Sequence, residues 1–203
     1  TDVLGKNATI TDTAVMEIAQ QRIALYDKKG EQHYDIISAF IKSMRGSDPN
    51  GAVYWLARMI EGGEDVKFIA RRMLIFASED IGNSNPNALL LANNTFQAVN
   101  VIGNPESRII LSQCAVYLAT SVKSNASYMA INEALDAVRK HGDLPVPLHL
   151  RNAPTRMMKQ MDYGKNYKYA HNYESNFVIQ QFLPDALEGT RFFTPQVNPR
   201  EEE

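Results

Sequence analysis

The residues best suited to chemistry lie in one stretch, PVPLHLRNAPTRMMKQMDYGKNYKYAHNY at 145–173. Five cations (Arg151, Arg156, Lys159, Lys165, Lys168) stand there against one acid, Asp162. The stretch therefore carries a formal +4 on a chain whose net charge is −2. Tyr163, Tyr167, Tyr169 and Tyr173 are interleaved with the charges. Lys and Arg grip phosphates and tyrosine rings stack on exposed bases, a mixture that suits single-stranded nucleic acid. The same residues also suit a structural brace, with prolines and tyrosines clamping the segment across helices, hydroxyls hydrogen-bonded and Lys stems lying over apolar surface. Three prolines and Gly164 forbid one continuous helix, and the aromatic content argues against disorder.

Other chemistry is sparse. A phosphate-binding loop needs G-x-x-x-x-G-K-[ST] after a strand; Gly5-Lys6-Asn7 and Gly164-Lys165-Asn166 have neither the upstream glycine nor the hydroxyl. Leu74-Ile75-Phe76-Ala77-Ser78-Glu79-Asp80 imitates the metal-binding strand of nucleotide hydrolases. Its apolar residues continue a helical spacing begun at Val66, which reads as a helix end with solvated acids. Arg71-Arg72 in mid-helix suits a phosphate contact, an arginine finger, or a pair bonded to acids on neighbouring helices. His33, His141, His149 and His171 form no metal-ligand spacing, and no G-x-S-x-G elbow supports a nucleophile. The expectation is that this chain by itself is not an enzyme and holds no cofactor or metal.

The elements that position these residues read as helices. Asp48-Pro49, Asn85-Pro86 and Asn104-Pro105 each place proline after a capping residue. Ile36, Ile37, Phe40, Ile41 and Met44 trace one face of a helix at 31–45. A second runs over 49–61 with Val53, Leu56, Ala57 and Ile60 inward, stopped by Gly62-Gly63. A third begins after Glu64-Asp65, buries Val66, Ile69, Ala70, Met73, Leu74 and Ala77, and ends at Gly82. Further helices are expected at 86–101, 105–122, 126–140 and 154–162, with one at 12–24 near the N-terminus. Only 167–173 alternates enough to suggest a short hairpin or extended edge. The fold class is all-α, a bundle of antiparallel helices with an irregular C-terminal segment.

A chain of 203 residues with 44% hydrophobic and 22% charged residues can bury a sizeable core. Its acidic balance gives no global drive toward polyanions, so any such affinity is local. The lone Cys114 cannot form an internal disulfide; it sits in the apolar run LSQCAVYLA and is expected to be buried and inert. No apolar run approaches the roughly 20 residues that cross a bilayer, so no membrane partner is expected. A first residue of Thr rather than Met suggests a piece of a longer protein.

Longer motifs are specific. Arg45-Gly46-Ser47-Asp48-Pro49 with Tyr54-Trp55-Leu56-Ala57-Arg58-Met59, then Ala70-Arg71-Arg72 with Phe76-Ala77-Ser78-Glu79-Asp80-Ile81-Gly82, and Lys123-Ser124-Asn125 form one set. Pro145-Val146-Pro147-Leu148-His149-Leu150-Arg151-Asn152-Ala153-Pro154-Thr155, Tyr163-Gly164-Lys165 and Tyr167-Lys168-Tyr169-Ala170-His171 form another. Together they resemble the C-terminal part of the replication-associated recombination protein A (MgsA) family, whose eukaryotic relative is the Werner helicase-interacting protein. The resemblance runs from about Ile10 onward.

The resemblance implies the following. Full-length members are AAA+ ATPases, DNA-dependent and related to clamp loaders, acting at stalled or damaged replication forks, with ATP and Mg in an N-terminal module that this chain lacks. Residues 1–24 look like a remnant of the AAA+ lid and linker, and 25–203 like a helical, clamp-loader-collar-like oligomerisation domain. Partners are then the chain itself, in an expected homotetramer, DNA through the parent protein, and a single-stranded-DNA-binding protein. The location is cytoplasmic and nucleoid-associated. Candidate DNA or interface residues are Arg71, Arg72, Lys123, Arg151, Arg156, Lys165, Lys168, Tyr167 and Tyr169. DNA contact through 145–173 stands as the alternative to oligomerisation.

Overall fold

The computed structural model describes Asp12, Thr13, Met16 and residues 31–201. Asp12, Thr13 and Met16 are helical; the rest of the helix expected at 12–24, and with it the expected lid remnant, lies outside the described residues. Two compact units emerge, Thr1–Tyr128 together with Pro195–Glu203, and Met129–Thr194. The helices are α1 (Glu31–Arg45), α2 (Pro49–Glu61), α3 (Val66–Phe76), α4 (Asn87–Ile102), α5 (Ser107–Thr120), α6 (Ala126–His141) and the short α7 (Arg156–Gln160). Among the described residues there is no β-strand, so the all-α class holds.

In the first unit α5 is the central helix: α1, α2, α3 and α4 all pack against it. It suits that place because Leu111, Cys114, Ala115, Leu118 and Ala119 are all buried, and the small residues let neighbours approach closely. The face predicted for α1 is buried in full, from Ile36 to Met44. The α3 face matches as well, with Phe76 added and Leu74 only partly covered. In α2 the buried set is Ala52, Leu56 and Met59, not Val53 and Ala57. Apolar residues occur all round α2, so spacing alone does not choose its inward side. Cys114 is buried, and burial pushes its thiol up to about 11, as befits an inert core residue.

Of the proline-marked starts, Asp48 alone caps as expected. Its Oδ1 accepts from the N–H groups of Asn50 and Gly51, both at 3.0 Å. Asn85 instead turns its amide across to α5, donating to Tyr117 Oη at 3.0 Å and Ser121 Oγ at 3.2 Å. The helix after Asn104-Pro105 starts late, at Ser107, and Asn104 makes no side-chain cap bond. α3 continues into a π-helical turn, Ala77–Ile81, that ends at Gly82 with φ +52°. A Cβ there would stand 3.0 Å from the Ser124 carbonyl oxygen, so glycine serves both the turn and the close approach.

Candidate functional site

The acids at the end of α3 are not a solvated helix end. The π-helical turn rotates Asp80 toward α1, where its carboxylate accepts from Arg45 Nε and from Nη2 at 3.1 Å; Glu79 lies 3.8 Å from the same guanidinium. Asp80 is only 11% exposed, whereas Arg45 is half exposed. The hydrogen bond with Asp80, opposed by burial, raises the Arg45 pKa beyond its already high value. Asp80 also accepts the Ser124 N–H through its carbonyl, at 2.8 Å. Arg45, Asp80 and Ser124 thus tie α1, the π turn and the start of α6 into one polar junction.

Arg71 and Arg72 do not take part in it. The Arg71 guanidinium lies 5.9 Å above the Phe68 ring. Arg72 Nε is shut off from solvent and has no hydrogen-bond acceptor. Among the described residues neither is paired with an acid, so the expected inter-helix ion pairs are absent. Glu79 and Asp80, which follow on the same helical run, face Arg45 instead. Lys123 likewise faces inward: its ammonium donates to the carbonyls of Ala119 (2.9 Å) and Ser121 (2.6 Å) and to Ser47 Oγ (3.1 Å). It closes the C-terminus of α5, and burial lowers its pKa against the pull of Asp80.

The C-terminal segment supplies residues that sequence reasoning passed over. Ser124, 1% exposed, donates to the Glu201 carboxylate (2.7 and 2.8 Å to its two oxygens) and accepts the Ala126 N–H at 3.3 Å. Glu201 also accepts from the Gln196 N–H (2.9 Å) and Asn198 Nδ2 (3.0 Å). Gln196 Nε2 donates to Asn125 Oδ1 at 2.6 Å. Glu201 is therefore a clasp on the start of α6. Lys123-Ser124-Asn125 was visible as a motif; its partner 70 or more positions away was not.

In the second unit the basic stretch folds upon itself. Arg151 donates to the Val146 carbonyl (2.7 Å) and Tyr163 Oη (3.1 Å), and its guanidinium lies 5.0 Å from the Tyr163 ring centroid. The Gly164 N–H closes the loop onto the Leu148 carbonyl at 2.9 Å. Thr155 caps α7 through Met158 N–H. The expected strand at 167–173 is replaced by a turn at Ala170–Asn172. The side-chain amide of Gln180 imitates a strand partner instead: Oε1 accepts the Lys168 N–H (3.2 Å) and Nε2 donates to the Lys168 carbonyl (2.9 Å).

Lys165 pairs with Asp162 at 2.9 Å, and Lys168 Nζ reaches the Ile179 carbonyl at 3.3 Å. Arg156, Lys165, Lys168, Tyr167 and Tyr169 are all exposed. Arg151 is held in the fold; the other five candidates of this unit remain on its surface. Of these only Lys165 lines a cavity of about 420 Å³, together with Leu148, His149, Asp162, Asn166, Gln180 and Gln181. Among the described residues no group of three or more His, Cys, Asp or Glu side chains is placed to hold a metal, and no helix is long and apolar enough to cross a membrane.

Comparison with known sequences places this all-helical chain among the C-terminal domains of AAA+ proteins. A family model described as AAA C-terminal domain matches residues 2–45. The model described as MgsA AAA+ ATPase C terminal matches residues 46–203, and the chain belongs to that family. The replication-associated recombination protein A of Coxiella burnetii is 45% identical over 92% of this chain and 42% of its own length. That of Escherichia coli is 44% identical over 88% of this chain and 40% of its own length. A Dictyostelium discoideum protein named ATPase WRNIP1 is 41% identical over 95% of this chain and 22% of its own length. The chain spans between about a fifth and two-fifths of the length of these relatives.

Proposed function

We propose that this chain is the oligomerisation domain, assembling as a homotetramer, of a DNA-dependent AAA+ ATPase that acts in replication-fork maintenance, recombination and repair. ATP and Mg²⁺ belong to a module outside the 203 residues, and the nucleoid is the place of action. Family membership and the relatives' names support the replication and ATPase part. One observation carries the oligomeric part: of the residues in α6 only Ala126 is buried, while Tyr128, Ile131, Leu135 and Val138 stand exposed at a 3-4-3 spacing. That spacing draws a single apolar seam down the helix, the pattern by which helices pair. Leu89, Leu90, Val101 and Ile102 add exposed apolar surface on α4. Apolar area of this kind on a soluble domain marks an interaction face, and tethering raises the effective concentration of attached modules for one another.

Light scattering on the chain should give four chain masses. Ile131→Asp combined with Leu135→Asp should reduce that to one, with the helical circular dichroism retained. A native chain that stays monomeric at high concentration would refute the reading.

A second reading rests on the exposed rings of Tyr167 and Tyr169 beside Lys165 and Lys168. It is DNA contact in which bases stack on those rings. Binding of single-stranded or forked DNA at low salt should weaken about tenfold in the Lys165→Ala, Lys168→Ala double variant, and the salt dependence should flatten. No binding at low salt would dismiss it.

A further inference from the structure

The second unit, Met129–Thr194, lacks a core of its own. None of its residues is buried, whereas the first unit holds the whole buried apolar cluster. Beyond α6 its regular structure is the five-residue α7 and isolated 3-10 turns, elements too short to stand alone in water. Asp162, Asn166, Ser175 and Asn176 also hold φ between +54° and +65°, in the left-handed region that side chains resist. Such backbone persists where surrounding packing over-determines it, and this unit supplies no core to do so. Its apolar residues are nevertheless plentiful. Phe177 is 69% exposed and Ile179 81%, and Met157, Tyr173, Phe182 and Phe193 are exposed as well. Ordering such side chains in water costs conformational entropy that no burial within the unit offsets.

We propose that this unit is half of a core that a second copy of the chain completes, so that folding of 142–194 and assembly are one step. The inference rests on the oligomeric reading and extends it. The α6 seam alone would let preformed subunits dock, whereas here the segment takes its shape only against the partner. Charge favours a copy as the occupant. The unit carries eight Lys and Arg against seven Asp and Glu, a formal +1, so copies do not repel and no net field draws a polyanion. Area favours it too. The rings of Tyr173, Phe177, Phe182 and Phe193, each about 150–250 Å² and about half exposed, together offer roughly 400 Å². That is half of the about 800 Å² per partner in a standard interface, and Ile179, Met157 and the α6 seam add to it. Ile131, Leu135 and Val138 of that seam belong to the same unit, so the proposed surface is continuous with the proposed interface.

The test pairs light scattering with limited trypsin digestion of the full 203-residue chain at the same concentrations. Trypsin cuts after Arg156, Lys159, Lys165 and Lys168, all exposed in the middle of the unit. Where the chain is assembled these bonds should resist. Dilution to the monomer should speed their cleavage at least about tenfold, because proteolysis follows the population of the open segment. Phe177→Asp combined with Phe182→Asp should do the same at high concentration, with the helical circular dichroism of the first unit kept. Both side chains are exposed, so a unit that folds by itself would tolerate the change. An assembled native chain whose diluted monomer keeps these sites resistant would overturn the coupling and leave the oligomeric reading standing. So would a double variant that stays assembled and resistant. A chain monomeric at every concentration would overturn both. An assembled chain cut as fast as its monomer would also overturn the proposal, and would assign the missing cover to a partner of another kind.

Discussion

Replacing Phe40 with alanine should lower the unfolding free energy by about 3–5 kcal/mol. Phe40 is 0% exposed, at the middle of the only face that α1 buries, with Ile36, Ile37, Ile41 and Met44 on the same side. α1 packs on α2 and on the central α5, so the cavity left behind would open where three helices meet. A close-packed core relaxes only partly around such a loss, and the cavity cost adds to the lost transfer free energy. The loss is a large fraction of the roughly 5–15 kcal/mol by which a domain is stable. Urea unfolding followed by circular dichroism should show the midpoint falling with an unchanged slope. Lys42→Ala, on the exposed side of the same helix, should stay within about 0.5 kcal/mol of the native chain. A Phe40→Ala loss below about 1 kcal/mol would mean that this face does not hold the unit together.

The contrast between α1 and α2 shows what periodicity can and cannot decide. In α1 the apolar residues fall on one side and polar Glu, Asp, Ser and Lys on the other, so the buried face is unambiguous from sequence. In α2 Ala52, Val53, Leu56, Ala57, Met59 and Ile60 surround much of the helix, and packing against α1 and α5 selects the side. The proline-marked starts teach a similar lesson. A local signal fixes where a helix can begin, but Asn85 finds better partners in Tyr117 and Ser121 than in its own first turn. Those partners lie more than thirty positions away, and no local signal names them.

The candidate residues divide along the same line. That Arg71-Arg72, Lys123 and Arg151 matter was legible from the motifs that contain them. What each touches was not, because it depends on how an element is rotated. The π-helical turn after Phe76 carries Asp80 to Arg45, a pairing across helices that no local spacing names. Arg72 keeps a buried Nε that no acceptor meets. The brace reading of 145–173 has support only within the segment itself, where Arg151 donates to Tyr163 Oη. It does not absorb Tyr167 and Tyr169, whose rings stay in solvent.

Glu201→Ala should cost about 2 kcal/mol, because Ser124 is buried and loses its acceptor while Gln196 and Asn198 lose theirs. The same contacts make the clasp pH-dependent. Burial works to raise the Glu201 pKa, but hydrogen bonds from the Gln196 N–H, Ser124 and Asn198 outweigh it and hold the carboxyl below its ordinary 4.5. In the unfolded chain those bonds are gone and the group titrates at the ordinary value. The unfolded state therefore binds the proton more readily, and stability rises with pH through this window. The contribution is fully present above 4.5 and is lost as pH falls through the depressed folded value. Glu201→Gln keeps the shape but cannot titrate. The stability difference between the native chain and this variant should thus be constant from about pH 7 to about pH 5 and shrink by about pH 3. Urea midpoints measured at those three values check it. A difference that stays the same at the acid end would mean that the charge on Glu201 does not hold the C-terminal segment to the start of α6.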